Sequence, residues 1–202
     1  MTDDDVEQHV RHYLDAARDA LLWKLEGLSE HDARRPLTPT GTNLLGLVKH
    51  AAWVQAGYFG VVFGRPFPDE APWEDPAADE MADMWATADE SRADIVDLHR
   101  RVRSHADATL AALPLDTVGL VPWWREGRNR PTLHRICLHV IAEIHRHAGH
   151  ADIVRELVDG AVGMVRGNEN LPSDDPGWWS RHRHRVEAAA RDAQAASART
   201  AP

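Results

Sequence analysis

The clearest indication of the fold lies in residues 132–160, which read TLHRICLHVIAEIHRHAGHADIVRELVDG. One face of this stretch repeats at alternating steps of three and four residues, which is the spacing of an amphipathic α-helix. That face consists of Leu133, Ile136, Val140, Glu143, His147, His150, Val154 and Leu157. Pro131 before the stretch and Gly160 at its end are typical helix boundaries. We therefore predict one long helix from Thr132 to about Gly160.

Three more segments repeat apolar residues at helical spacing, and no segment alternates as a half-buried β-strand would. These segments are residues 5–28, 42–61 and 77–113. Loops at residues 64–76 and 114–131, each with several prolines, separate the predicted helices. The pattern predicts an all-α protein in which four helices form a bundle.

A further helical segment, residues 186–196, follows a polar loop near the end of the sequence. Trp178 and Trp179 precede it, and we expect these large side chains to dock the segment on the bundle. The predicted organisation is a helical bundle over residues 1–165. A loop and a C-terminal helical tail, packed on the bundle, follow over residues 166–202.

The charge of the chain limits its partners. Its 202 residues include 32 acidic and 23 basic ones, so the formal net charge is −9. Nucleic acids and anionic membrane surfaces both require a basic face, and neither is expected to bind here.

No apolar run approaches the roughly 18 residues of a transmembrane helix. The acidic start, residues 1–5, lacks the pattern of a signal peptide. Cys137 is the only cysteine, so no intrachain disulfide is expected. Together these features predict a cytoplasmic protein.

Three ionisable side chains interrupt the apolar face of the helix predicted at 132–160, namely Glu143, His147 and His150. A buried, unpaired carboxylate costs several kcal/mol even after relaxation, so Glu143 requires a partner, a proton or a metal ion. Glu143 and His147 are four residues apart, the spacing at which one helix offers two ligands to one ion. His139 is too far from His147 to share that ion, at roughly 12 Å along the helix axis.

A third ligand is expected from another helix. His50 is the best candidate, because it lies between Leu47 and Val54 in the apolar face of the second helix. His105, which flanks the apolar face of the third helix, is the alternative. The pattern also allows a second interpretation, in which these are core histidines hydrogen-bonded to a carboxylate without a metal ion.

Two segments also resemble a known family. Residues 139–156, HVIAEIHRHAGHADIVRE, are similar to the fourth-helix signature of the DinB/YfiT-like superfamily, and in particular of its actinobacterial DUF664 branch. Residues 37–50, LTPTGTNLLGLVKH, are similar to the start of helix two in that branch. The likeness covers about residues 14–160.

The resemblance implies a four-helix bundle that holds a divalent metal ion, commonly zinc or nickel. The ligands would be one histidine of helix two and two residues of helix four, positions that His50, Glu143 and His147 occupy here. Many members have His at the position of Glu143, and many have Gln at that of His150. His150 is therefore a candidate fourth ligand, partner of a ligand or proton carrier. Relatives are often dimers, and we expect a homodimer.

The resemblance also implies a low-molecular-weight thiol as cosubstrate, which in actinobacteria is mycothiol. Three protein ligands leave an open coordination position, as catalytic sites do. The metal would hold the mycothiol thiolate for attack on a small electrophile, so the leading hypothesis is a metal-dependent thiol S-transferase. The alternatives are a metal-dependent hydrolase or isomerase that activates water, and a metal-binding stress or structural protein without turnover.

Several aromatic and basic residues are candidates for the mouth of a substrate pocket. They are Trp53, Tyr58, Trp123, Trp124 and Arg128. Trp53 lies one turn from His50 on the same helix. Arg128 could bind a carboxylate-bearing substrate through two hydrogen bonds, although packing of the aromatic residues and solvation of the arginine are the plainer interpretations. Cys137 is expected to pack in the core rather than to act as a nucleophile.

Overall fold

The computed structural model describes residues 3–74 and 77–200, and Asp75 and Pro76 of the predicted loop 64–76 lie outside it. The described residues form two compact units, Met1–Arg166 and Gly167–Pro202. In the described parts of both units the regular secondary structure is helical. Its α-helices are α1 (Asp3–Trp23), α2 (Glu30–Arg34), α3 (Leu44–Gln55), α4 (Arg92–Ala112), α5 (Leu133–Asp159) and α6 (Pro176–Thr200). The prediction of an all-α fold is confirmed.

The four long helices of the first unit form the bundle. α1 packs mainly against α5, α3 packs mainly against α4, and α3 also contacts α5. The core between them consists of fully buried aliphatic side chains, among them Leu14, Leu21, Leu47, Ile136 and Ile144. Burial of such a side chain contributes about 1.5–3 kcal/mol relative to exposure, so these contacts fix the positions of the helices.

α5 begins and ends where the sequence predicts. The Thr132 side chain accepts a hydrogen bond from the Arg135 backbone N–H, and Gly160 ends the helix with a φ of 80°. Its buried face is narrower than predicted, because His150 is exposed and Leu157 is 64% exposed. The placement of these two residues in the apolar face is therefore wrong.

α3 also begins as predicted, since the Asn43 side chain accepts a hydrogen bond from the Gly46 backbone N–H. After Gln55 the helix widens into a π-helical turn, Ala56–Gly60, and then tightens into a 3-10 turn, Val61–Phe63. Such π-turns interrupt regular helical geometry and are frequent at functional sites. The turn carries Tyr58, one of the residues predicted at the pocket mouth.

The third predicted helix begins later than expected, at Arg92 instead of residue 77. Ser91 and Asp94 form a capping box in which each side chain bonds the other residue's backbone N–H, and this arrangement starts α4. Residues 77–91, which we call the strap, form turns along α3. Asn43 Nδ2 donates to the Met84 carbonyl at 3.1 Å, and Lys49 Nζ donates to the Trp85 carbonyl at 3.1 Å.

The first helix is shorter than predicted, because α1 ends at Trp23 and a turn with Gly27 at a φ of 73° follows. In the second unit, α6 is longer than the predicted segment and includes Trp178 and Trp179. Trp178 stacks on His182 with ring centres 5.1 Å apart, and Trp179 donates to the Ser173 carbonyl.

None of the helices within residues 3–74 and 77–200 combines the length and the apolar character needed to cross a membrane.

Gly46 is the place where the strap approaches α3 most closely. An added Cβ would lie 1.7 Å from the Met84 carbonyl oxygen. We expect Gly46→Ala to destabilise the protein by about 1–3 kcal/mol, because the strap must move away from the helix. Urea unfolding followed by circular dichroism measures this.

Gly149→Ala is the matched control, because a Cβ there would meet no atom within 4 Å. Alanine is favoured over glycine inside a helix by about 1 kcal/mol, so this variant should be as stable as the original chain or more so. Equal stability of the two variants would contradict the close approach of the strap.

Candidate metal centre

Three side chains with metal-binding atoms converge where α3 contacts α5. They are His50 on α3 and Glu143 and His147 on α5, and one ligand atom of each lies within 4.8 Å of the others. His147 Nε2 is 3.0 Å from Glu143 Oε1, and His50 Nε2 is 3.8 Å from the same oxygen. The two imidazole rings meet edge to face with centres 4.7 Å apart. These are the three residues that the sequence and the resemblance predict as ligands.

The alternative third residue is located elsewhere. His105 Nε2 lies 2.6 Å from the Arg65 carbonyl oxygen, and His105 is not part of the converging group. The group therefore draws its second histidine from α3, which the Asn43 cap and the packing of Leu47 hold in place.

Asp83 of the strap is a fourth member of the site, and no pattern in the sequence predicts it. Its Oδ2 lies 2.6 Å from His50 Nδ1, so the ring donates its Nδ1 proton to this carboxylate. Nε2 of His50 is then the atom with a free lone pair, and it faces Glu143. A carboxylate behind a histidine in this way orients the ring and increases its basicity as a metal ligand.

The charges of the acidic residues follow from their surroundings. Burial alone would raise the pKa of the Asp83 carboxyl, but the hydrogen bond and charge of His50 outweigh burial and lower it. Burial would likewise raise the pKa of Glu143, and the hydrogen bond to His147 together with the charges of the neighbouring histidines lowers it. Both residues are therefore carboxylates at neutral pH.

The surroundings of His147 favour its neutral form. Burial, and then the charge of His50, lower its pKa below the ordinary histidine value in spite of the hydrogen bond to Glu143. The ring is therefore neutral at pH 7, which is the form that binds a cation. Its Nδ1 is buried without a hydrogen-bond partner among the described residues, so the interactions of the ring lie on the Nε2 side.

Two imidazoles and one carboxylate fit a divalent cation. Tetrahedral zinc with bonds of about 2.0–2.1 Å places neighbouring ligand atoms about 3.3 Å apart. The distances of 3.0 and 3.8 Å from Glu143 Oε1 lie on either side of that value. Imidazole is also a good ligand for nickel, so the donor set suits both metals.

A cavity of about 970 Å³, which we call the main cavity, adjoins this group. Small-molecule sites are commonly about 300–1,000 Å³ in volume. His50, Asp83 and Glu143 line the cavity together with Trp53, Tyr58, Trp123 and His139. Three of the five predicted pocket residues, Trp53, Tyr58 and Trp123, are therefore in its wall.

The hydroxyl of Tyr58 organises one side of the main cavity. Trp123 Nε1 and Trp124 Nε1 donate to it at 3.3 and 3.1 Å, and His139 Nε2 lies 3.0 Å away. An indole N–H can only donate, so the two indoles occupy both lone pairs of the phenol oxygen. The phenol proton must then be donated to His139 Nε2, which fixes the proton of that ring on Nδ1.

The remaining predicted residues lie beside the main cavity. Trp124 and Arg128 line a second, smaller cavity of about 430 Å³, which we call the side cavity. His150 is exposed, with its ring centre 5.4 Å from that of His147. A role for His150 as a ligand or proton carrier stays a prediction. Cys137 is fully buried, as expected.

An all-helical bundle with two histidines and a glutamate converging from two helices beside a cavity is typical of the DinB-like class. A family model described as mycothiol S-transferase matches residues 9–160, which include all three converging residues. The chain belongs to this family. A search of curated proteins found no match to the chain.

Replacement of Asp83 tests whether the three residues form a metal centre. Asp83→Asn removes the negative charge behind His50, and we expect the affinity for zinc or nickel to fall about 10–100-fold. The affinity is measured on EDTA-treated protein by competition with a chromophoric chelator. Asp69→Asn is the control, because Asp69 lines the same cavity but pairs with Arg101. Equal affinities of the two variants would contradict the role of Asp83.

The buried cysteine is expected to be inert. Burial raises the pKa of the Cys137 thiol to about 12, and the thiolate is the reactive form of cysteine. We expect iodoacetamide at pH 8 to leave the folded protein unmodified over hours and to alkylate it promptly in urea, as measured by intact mass. Rapid labelling of the folded protein would show that the thiol is accessible.

Proposed function

We propose that this protein is a metal-dependent thiol S-transferase that transfers mycothiol to a small electrophile. The observation that carries the proposal is the convergence of His50, Glu143 and His147 at the edge of the main cavity. The membership of the chain in the mycothiol S-transferase family supports mycothiol as the thiol. Zinc or nickel is the expected metal, since the donor set suits both.

A bound divalent cation would supply positive charge that lowers the pKa of a coordinated thiol, so that thiolate is available at neutral pH. The residues of the chain set the conditions for this chemistry. Glu143 provides one negative charge, and His50 and His147 provide neutral nitrogens. Asp83 keeps the proton of His50 on Nδ1, away from the metal-binding face.

The main cavity suits a reaction between two substrates. Its volume of about 970 Å³ leaves room for a thiol and a small electrophile side by side. Much of its wall is apolar, including Trp53, Val54 and Phe67, and this provides contacts for the carbon atoms of an electrophile. We also propose that the protein acts as a homodimer in the cytoplasm.

The test compares two glutamates of α5 in metal-loaded protein. Glu143→Ala removes a proposed ligand, whereas Glu156→Ala changes an exposed carboxylate on the same helix. Loss of a residue that hydrogen-bonds to a metal ligand lowers activity by up to about 100-fold. Glu143→Ala removes a proposed ligand itself, so we expect its rate of thiol conjugation to fall by more than that. It should also lose the increase in Tm that mycothiol gives to the unaltered protein. Glu156→Ala should retain both.

The readouts are mass spectrometry of the conjugate with a panel of electrophiles and thermal unfolding with and without mycothiol. Turnover without incorporation of the thiol would instead indicate a hydrolase or isomerase. Stoichiometric metal, loss of the fold on chelation and no turnover would indicate a metal-binding stress protein. A protein that binds neither metal nor mycothiol would refute the proposal.

A further inference from the structure

The side cavity adjoins the main cavity and has a different chemical character. It is lined by Trp123, Trp124, Arg125, Arg128, Arg135 and His139. Trp123 and His139 line both cavities, so the two share a wall. The side cavity therefore lies next to the main cavity, with the Trp123 and His139 side chains at their common boundary.

The three arginines of the side cavity lack the ion pairs that many other arginines of the bundle make. Elsewhere in the bundle, Arg18, Arg103 and Arg155 each pair with an aspartate within 3.1 Å. None of the three side-cavity arginines has a carboxylate partner among the described residues. The segment 122–139 contains four arginines and a single acidic residue, although the whole chain has a net charge of −9. The segment beside the main cavity is therefore locally basic and contributes three guanidinium groups without carboxylate partners.

The aromatic residues of the side cavity are held rigidly. The N–H groups of Trp123 and Trp124 are both bonded to Tyr58, so neither indole can rotate freely. Trp123 also lies close to the backbone of Gly57, where an added Cβ would be 3.3 Å from its ring. Even so, Trp123 is 52% exposed. An exposed apolar ring that the surrounding structure holds in place is a surface suited to stacking of a planar ligand.

Arginine and indole side chains together recognise planar organic anions. A guanidinium binds a carboxylate through two parallel hydrogen bonds, and an indole face stacks on an aromatic or conjugated system. Arg135 already lies with its guanidinium carbon 5.3 Å from the centre of the Trp124 ring. We propose that the side cavity binds the carboxylate of a planar, aromatic electrophile. The identification of this ligand as a substrate rests on the proposed transferase function.

The distribution of charge around the main cavity supports this orientation. Glu70 and Glu74 also line the main cavity, and they come from the loop that precedes the strap. An anionic substrate is repelled by these carboxylates and attracted by the guanidinium groups beyond Trp123. Its carboxylate then lies in the side cavity and its reactive carbon faces the main cavity.

Binding is tested without thiol or turnover, with two probes that differ in charge. 4-Chloro-3-nitrobenzoate carries the carboxylate, and 4-chloro-3-nitrobenzamide is its neutral analogue. We expect isothermal titration of the intact protein to show that the benzoate binds about tenfold or more tightly than the amide. The Arg128→Ala/Arg135→Ala variant should lose this difference. Arg146→Ala, which removes an exposed arginine on the same helix as Arg135, should retain it.

Turnover of the same two probes separates this inference from the proposed function. The thiolate sulfur would form a bond to the ring carbon, chloride would leave with the electron pair of the C–Cl bond, and the thiol proton would pass to buffer. The double variant should raise the KM for the benzoate about tenfold and leave the KM for the amide and both kcat values unchanged.

Each outcome decides one of the two claims. Tighter, arginine-dependent binding of the benzoate without turnover of either probe supports the anion site and counts against the transferase. Turnover of both probes with equal KM, unaffected in the double variant, supports the transferase and refutes the anion site. Equal binding of benzoate and amide refutes the anion site whatever the kinetics.

Discussion

The carboxylate of Glu143 lies between two imidazole rings where α3 meets α5, and the arrangement of the site depends on this group. Glu143 is only partly exposed, and the loss of hydration is offset by His147 on its own helix and His50 on the facing one. Because His50 is 93 positions away in sequence, this contact exists only when α3 and α5 pack. The site is therefore a consequence of the bundle, not of any local motif.

The site depends on the strap as well as on the packing of α3 against α5. Gly46 allows the Met84 carbonyl to approach α3, and the hydrogen bonds from Asn43 and Lys49 hold the strap in that position. Asp83 is consequently placed behind His50, with its carboxylate on Nδ1. The residues that start α3 and the residue that orients His50 thus belong to one connected set of contacts.

The sequence predicted the parts of the structure that depend on local spacing. Glu143 and His147 are four apart, and α5 has strong boundary residues, so both were found. His150 and Leu157 were misplaced because their pattern has a period of 3.5, whereas a straight helix has 3.6 residues per turn. The face drifts by about 20° per heptad, and both side chains are exposed by the end of α5.

Periodicity alone also places the start of the third helix too early, at residue 77 instead of Arg92. Apolar residues such as Met81, Met84 and Ala88 continue the helical spacing into the strap, whereas in the structure the capping box of Ser91 and Asp94 starts α4. Because the periodicity predicts a helix over residues 77–91, it does not predict the contact of Asp83 with His50.

The candidate metal ligands lie on helices, whereas part of the pocket wall lies on a loop. The converging ligands come from two long helices with buried faces, which hold their geometry closely. Trp123, Trp124 and Arg128 come from the loop before α5, which is anchored by a bridge between Val118 and Thr132 and a hydrogen bond from Leu120 to Val62. Such a loop can change its side chains without moving the helices. Under the proposed function, the helices would supply the chemistry and the loop would help to select the substrate.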